Sequence, residues 1–188
     1  MRTLVVFNQV TLDGYFADAH GDMSWAHKDP NDAEWNAFVA GNAKGGGVLL
    51  FGRITYELMA SYWPTPAALT QAPEVARSMN RMQKVVFSRT LAKASWQNTT
   101  LVKSDLVAAV RRMKQEPGEG MAILGSGSIV SQLTQAGLID EYQIVVNPLV
   151  LGQGKSMFAG LTDKRLLTLT KTRAFGNGNV VLCYQPKA

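Results

Sequence analysis

The sequence predicts a three-layer α/β domain with a mostly parallel central sheet, an antiparallel C-terminal hairpin and helices on both faces. Three observations predict it. Short apolar runs at residues 2–10, 48–51, 84–88, 99–102 and 121–124 are interleaved with stretches of helical apolar spacing, the order expected of strands joined by crossover helices. Two of those runs end in glycine directly before a helix, at Gly52 and at Gly125-Ser126-Gly127-Ser128. Residues 166–172 and 179–185 alternate on either side of Gly176-Asn177-Gly178, which reads as a closing hairpin.

With 188 residues, 46% of them hydrophobic and 18% charged, the chain fits one domain spanning 1–188 with a full core. No apolar run approaches the ~20 residues of a membrane span, and no signal-peptide pattern opens the sequence, so a cytoplasmic location is expected. The single cysteine, Cys183, lies in an apolar run and reads as a buried strand thiol rather than a nucleophile. A net charge of +5 suits anionic small molecules. Its basic residues are scattered and never interleave with aromatics, which argues against nucleic acid as a partner.

Residues 2–10 form an interior first strand, with Asn8 and Gln9 near the end where a site can begin. Asp13-Gly14 marks a turn, and residues 15–30 read as a long surface loop. His20 and His27 stand there with Asp18, Asp22 and Asp29 but without tight ligand spacing, so no metal site is expected. Asn31 or Asp32 caps a helix to about Asn42, with Trp35, Phe38 and Val39 as its apolar face, and Gly45-Gly46-Gly47 ends it. Strand 48–51 feeds helix 53–60. Pro64, Pro66 and Pro73 make residues 61–73 an irregular excursion over Trp63, followed by a short helix at 74–82. Ser104 or Asp105 caps helix 106–115, which Pro117-Gly118 stops. Strand 121–124 passes through the glycine turn into helix 129–136. The apolar residues 144–151 supply a strand or core.

A helix N-terminus leaves N–H groups unpaired and carries partial positive charge, so a phosphate can settle there when the preceding residues are small. By itself the GSGS run is equally an ordinary strand-to-helix turn, because the full dinucleotide fingerprint is missing. It is one of six ordered blocks: TLDGYFA at 11–17, FGRITYE at 51–57, VFSRT at 86–90, GSGSI at 125–129, GLIDE at 137–141 and PLVLGQG at 148–154. Through these blocks the chain resembles the dihydrofolate-reductase-like superfamily, and most closely the reductase domain of the riboflavin-biosynthesis deaminase-reductases.

That resemblance implies the three-layer dihydrofolate-reductase-like fold and NADPH as cofactor. Gly52, Arg53 and Thr55 would start the first helix of the site, with the Thr55 hydroxyl and backbone amides near the pyrophosphate. Arg53, Ser88 and Arg89 would gather about the adenosine 2′-phosphate, where the arginine fork meets phosphate oxygens in pairs. Gly125, Ser126, Gly127, Ser128 and Ile129 would receive the pyrophosphate and nicotinamide side. The dihydrofolate-reductase pattern has Gly-Gly joined by a cis peptide where this chain has Gly125-Ser126; the riboflavin-type branch tolerates serine.

The activity so implied is NADPH-dependent reduction of a pyrimidine- or pterin-like heterocycle, with 5-amino-6-(5-phosphoribosylamino)uracil the closest named substrate. The sequence carries no zinc-binding deaminase domain, so the reductase is expected to act alone. Residues 18–30 and the proline-rich excursion match no folate or ribityl-phosphate pocket. Hydride transfer needs a nicotinamide face, a substrate held against it and a proton source. Asp13, in the Leu-Asp-Gly segment, either orients substrate or stabilises its turn. Asp32, placed like the dihydrofolate-reductase carboxylate, is either catalytic or a helix cap. Glu57, Asp140 and Glu141 read as structural or subunit-facing. Because no proton donor stands out, a non-catalytic nucleotide-binding homologue is the alternative, as is a related enzyme with another small-molecule substrate. A homodimer is expected from the riboflavin-type branch, with residues 137–154 near the dyad or in the core.

Overall fold

A computed structural model describes residues 1–44 and 47–187; Gly45 and Gly46 of the expected helix-ending glycines lie outside the described residues. Its centre is an eight-stranded sheet in the order β5-β4-β3-β6-β1-β7-β10-β9. The strands are β1 Leu4–Thr11, β3 Val48–Gly52, β4 Gln83–Phe87, β5 Thr99–Val102, β6 Met121–Leu124, β7 Glu141–Asn147, β9 Leu167–Ala174 and β10 Val180–Pro186. From β5 through β7 all neighbours are parallel, and β10 runs antiparallel to both β7 and β9. The parallel sheet with its antiparallel hairpin therefore stands as expected.

Side-chain alternation on these strands feeds two opposite faces. On one, Leu4, Val6, Leu50 and Ile123 pack against α5 (Leu106–Gln115) and α6 (Gly127–Gln135) through Leu106, Val110, Ile129 and Leu133. On the other, Leu49, Phe51 and Val86 meet Tyr56 of α2 (Arg53–Tyr62) and Met79 of α4 (Pro73–Arg81). Val145, Val181 and Cys183 meet Trp35 of α1 (Ala33–Lys44) on that same face. Removing this apolar surface from water at roughly 25 cal/mol per Å² is what holds the three layers together. Asp105 rather than Ser104 caps α5, accepting the Ala108 N–H at 2.8 Å.

Two expectations need correction. Residues 15–30 are not all loop: β2 (Tyr15–Ala17) pairs with β8 (Lys155–Ser156), and Ser24–Ala26 forms a 3₁₀ turn. Three-residue strands leave no periodic signal, and the partner of β2 lies far along the chain. Residues 61–73 contain α3 (Pro66–Gln71), with Pro66 at the tolerated first helical position and the Thr65 hydroxyl accepting the Ala68 N–H. Pro66 and Pro73 each start a helix, and Pro64 lies in the turn before α3. Helix α6 also begins two residues before the expected 129, at Gly127.

Candidate functional site

β3 and β6 are parallel neighbours, and each runs straight into a helix. Gly52 is the N-cap of α2 and Ser126 that of α6, and neither helix has a side-chain cap. The first amides of both helices therefore lack intrahelical partners. Two hydroxyls tie the turns together: Ser126 Oγ accepts the Gly52 N–H at 2.7 Å, and Thr55 Oγ1 accepts the Ser126 N–H at 3.0 Å. Asn8 fixes the second turn from β1, its Oδ1 accepting the Gly125 N–H at 2.6 Å and its Nδ2 donating to the Gly125 carbonyl at 3.2 Å.

Close approach explains the glycines. Gly125 has φ +60°, and a Cβ there would lie 2.8 Å from Thr55 Cγ2. At Gly127 a Cβ would come within 2.9 Å of Phe16 Cε1. Ser126 itself is left-handed at φ 56°, a conformation whose cost for a non-glycine residue is offset here by the bonds to Gly52 and Thr55. Among the described residues no peptide bond is cis, so the Gly-Gly cis pattern of dihydrofolate reductases is not reproduced at Gly125-Ser126.

Both turns open on one crevice of about 1510 Å³. Gly52, Arg53, Thr55, Ser88, Arg89 and the second turn from Gly125 to Ile129 all line it. The Thr55 hydroxyl already accepts from Ser126, and Ser88 Oγ accepts the Thr90 and Leu91 amides of its own turn. Arg53 pairs with Glu57 at 3.0 Å, an exposed i,i+4 contact that an incoming phosphate can replace. Arg89 follows the end of β4, the strand next to β3, and lines the crevice.

The crevice continues as a groove over the central strands. Phe7 and Gln9 of β1, Leu49 of β3 and Ala122 of β6 belong to its floor, with Val39 of α1, Met59 of α2 and Trp63 just past the end of α2 as walls. Gln9 Oε1 is buried there without a hydrogen-bond partner. Sequence reading placed Asn8 and Gln9 near a site but missed the groove walls and Phe16, because tertiary packing alone brings them together.

Neither carboxylate candidate lines the crevice. Asp13 accepts from the Thr11 hydroxyl and from the Leu151 and Gly152 amides. The Thr11 hydroxyl foremost, then those amides, hold its carboxyl below the usual range. Asp32 caps α1 by accepting the Trp35 N–H at 2.9 Å, and its other oxygen accepts from Asn177 Nδ2 at 2.7 Å. Nearby, Lys28 donates to Asn147 Oδ1, and burial pulls its pKa down against the opposing charge of Asp32.

A parallel sheet with this hairpin and a crevice at its carboxyl edge defines a dihydrofolate-reductase-like fold. Dihydrofolate reductase from Enterococcus faecalis, solved with NADP(H), superposes with a TM-score of 0.63 at 14% identity, covering 99% of this chain and 97% of that one. The chain belongs to the RibD C-terminal domain family, which it matches over residues 2–181. A Shewanella sp. PV-4 protein named for riboflavin biosynthesis superposes with a TM-score of 0.77 at 23% identity, covering 99% of each chain. The Thermotoga maritima diaminohydroxyphosphoribosylaminopyrimidine deaminase/5-amino-6-(5-phosphoribosylamino)uracil reductase has a TM-score of 0.68 at 15% identity; the match covers 99% of this chain and 57% of that one. Bacillus subtilis YyaP, an uncharacterised protein, is 27% identical over 183 residues, covering 97% of this chain and 94% of its own.

Proposed function

We propose that the chain is an NADPH-dependent reductase of a pyrimidine- or pterin-like heterocycle. One observation carries this reading: two uncapped helix N-termini, tied to each other and flanked by Arg53 and Arg89, line the same crevice as an apolar groove. The cradle suits a pyrophosphate, since its Gly52 and Gly125 positions are too close to neighbours for a Cβ to enter freely. Gly52, Thr55 and residues 125–129 would hold the pyrophosphate and nicotinamide half, and Arg53 and Arg89 the 2′-phosphate. Bound NADPH would supply a hydride. Gln9 and the groove walls would hold a C=N or C=O bond for it, carbon taking the hydride and the heteroatom a proton from water. Neither Asp13 nor Asp32 is placed to give that proton, since both lie off the crevice and are engaged elsewhere.

That same engagement favours a second reading, a nucleotide-binding homologue without turnover. Fluorescence titration of NADPH against NADH tests the first step. Binding of NADPH is expected, with Arg89→Gln weakening it about tenfold and leaving NADH unchanged. No binding of either at about 1 mM, equivalent to only ~4 kcal/mol, removes the reductase reading. Binding without oxidation across dihydrofolate, pyrimidine and quinone panels selects the second.

A further inference from the structure

Charge is unevenly placed along the crevice. Among the described residues lining it, the ionisable side chains are Arg53, Arg89, Asp105 and Lys155. The first three follow β3, β4 and β5 at the carboxyl edge of the sheet. Lys155 belongs to the β2–β8 ribbon, its Nζ 3.1 Å from where a Cβ on Gly21 would sit. The groove over β1 and β6 is instead bounded by Phe7, Val39, Met59, Trp63 and Met79. A phosphate lodged there would lose its hydration with no cation to replace it.

Asn42 and Gln143 also line the crevice, and among the described residues Gln9 is the amide there whose buried oxygen lacks a partner. Its neighbours on β1, Asn8 and Val10, turn to the face of α5 and α6, so Gln9 shares the opposite face with Phe7 beneath α1. Its Oε1 is buried and unpaired, a state costly enough that a ligand N–H is the natural partner. A carboxamide presents an acceptor beside a donor, the complement of a lactam edge, N–H beside C=O. Thioethers and an indole that line the same crevice suit the faces of a planar ring; Met59 Sδ and Trp63 Nε1 lie 3.1 Å apart.

Resting on the reductase reading, we infer that the groove takes an uncharged planar lactam without a phosphate, its lactam edge on the Gln9 carboxamide and its ring between α1 and α2. The substrate would keep the uracil-like edge of 5-amino-6-(5-phosphoribosylamino)uracil and dispense with the phosphoribosyl arm.

Calorimetry on the full chain tests this with 4(3H)-quinazolinone as probe. The probe is expected to bind, its 3-methyl derivative about tenfold more weakly, and Gln9→Leu is expected to weaken the probe to a similar degree. The methyl derivative keeps the test valid if the variant misfolds. Uridine and uridine 5′-monophosphate should displace the probe equally within about threefold, because a phosphate gains nothing in this groove. Displacement at least about tenfold stronger by the monophosphate overturns the proposal; so does a probe that fails to bind or ignores N-methylation. NADPH is titrated separately: probe binding without cofactor binding sinks the reductase reading alone, and the reverse sinks the groove assignment alone.

Discussion

Thr55→Val and Ser126→Ala each remove one of the two hydrogen bonds that clamp the α2 turn to the α6 turn. Valine keeps the methyl that packs at Gly125, and alanine keeps a Cβ in the same left-handed conformation, so each change isolates a hydroxyl. A lost hydrogen bond costs about 1 kcal/mol net, and up to ~3 when the remaining amide is buried and unpaired. Both amides are partly buried, which puts each single variant at about 1–2 kcal/mol. If the turns act as one unit, the double variant should cost less than the sum, with a coupling of at least about 0.5 kcal/mol. Urea unfolding of the four proteins measures it. NADPH titration of the same set should show each single variant about tenfold weaker and the double little worse than either. Stabilities that add within ~0.3 kcal/mol, together with unchanged cofactor affinity, would refute the idea that one clamp builds one phosphate site.

Lys84 is fully buried, donating from Nζ to the carbonyls of Met79, Asn80 and Met82 at the end of α4 and lying 4.4 Å from the Trp96 ring centroid. Burial lowers its pKa from 10.5 to about 8. The unfolded chain therefore binds more protons between those values, and stability should rise with pH from about 8 to 10.5 by ~3 kcal/mol at most. Thermal unfolding should show Lys84→Met losing that rise, and an unchanged pH profile would contradict it. Asp32→Ala should cost about 1–2 kcal/mol through the lost cap while Asp32→Asn costs a few tenths; a folded asparagine variant without turnover would instead make Asp32 catalytic. Of the 137–154 segment expected near a dyad or in the core, β7 lies inside the sheet between β1 and β10, so a homodimer is instead expected to cover the edge strand β9, whose eight residues, Leu167 and Leu169 included, are all exposed. Light scattering should return twice the 20.5 kDa of one chain, and a single-chain mass rules that interface out.

How far the site could be read in advance depended on whether its parts are local in the chain. The phosphate cradle is coded by contiguous residues: a strand must run into a helix, so small residues at Gly52 and Gly125–Ser128 were visible as a turn before any tertiary contact was known. The hairpin about residues 176–178 and a cap at Ser104 or Asp105 were legible for the same reason, and the structure decides for Asp105. Asp32 shows the limit, since its pattern fitted both a cap and an acid, and only the Trp35 amide and Asn177 reveal where its oxygens are spent. The β2–β8 pair joins segments some 140 residues apart and carries no period of its own.

The groove is the extreme case. Phe7, Val39, Met59 and Trp63 each read as ordinary core, and each also packs against a buried cluster of the sheet. What distinguishes them is the gap left between α1 and α2 above the small Ala122 side chain, a property of helix spacing rather than of any residue. Gln9 differs from the buried polar residues of β1: Asn8 and Thr11 are hydrogen-bonded, whereas Gln9 lines the cavity with an oxygen that lacks a partner. A buried carbonyl oxygen without a partner is a net cost to stability that an aliphatic side chain at this position would not carry. The buried oxygen of Gln9, in a groove beside a phosphate-ready turn, is the atom whose hydrogen bonding the proposed lactam N–H would complete.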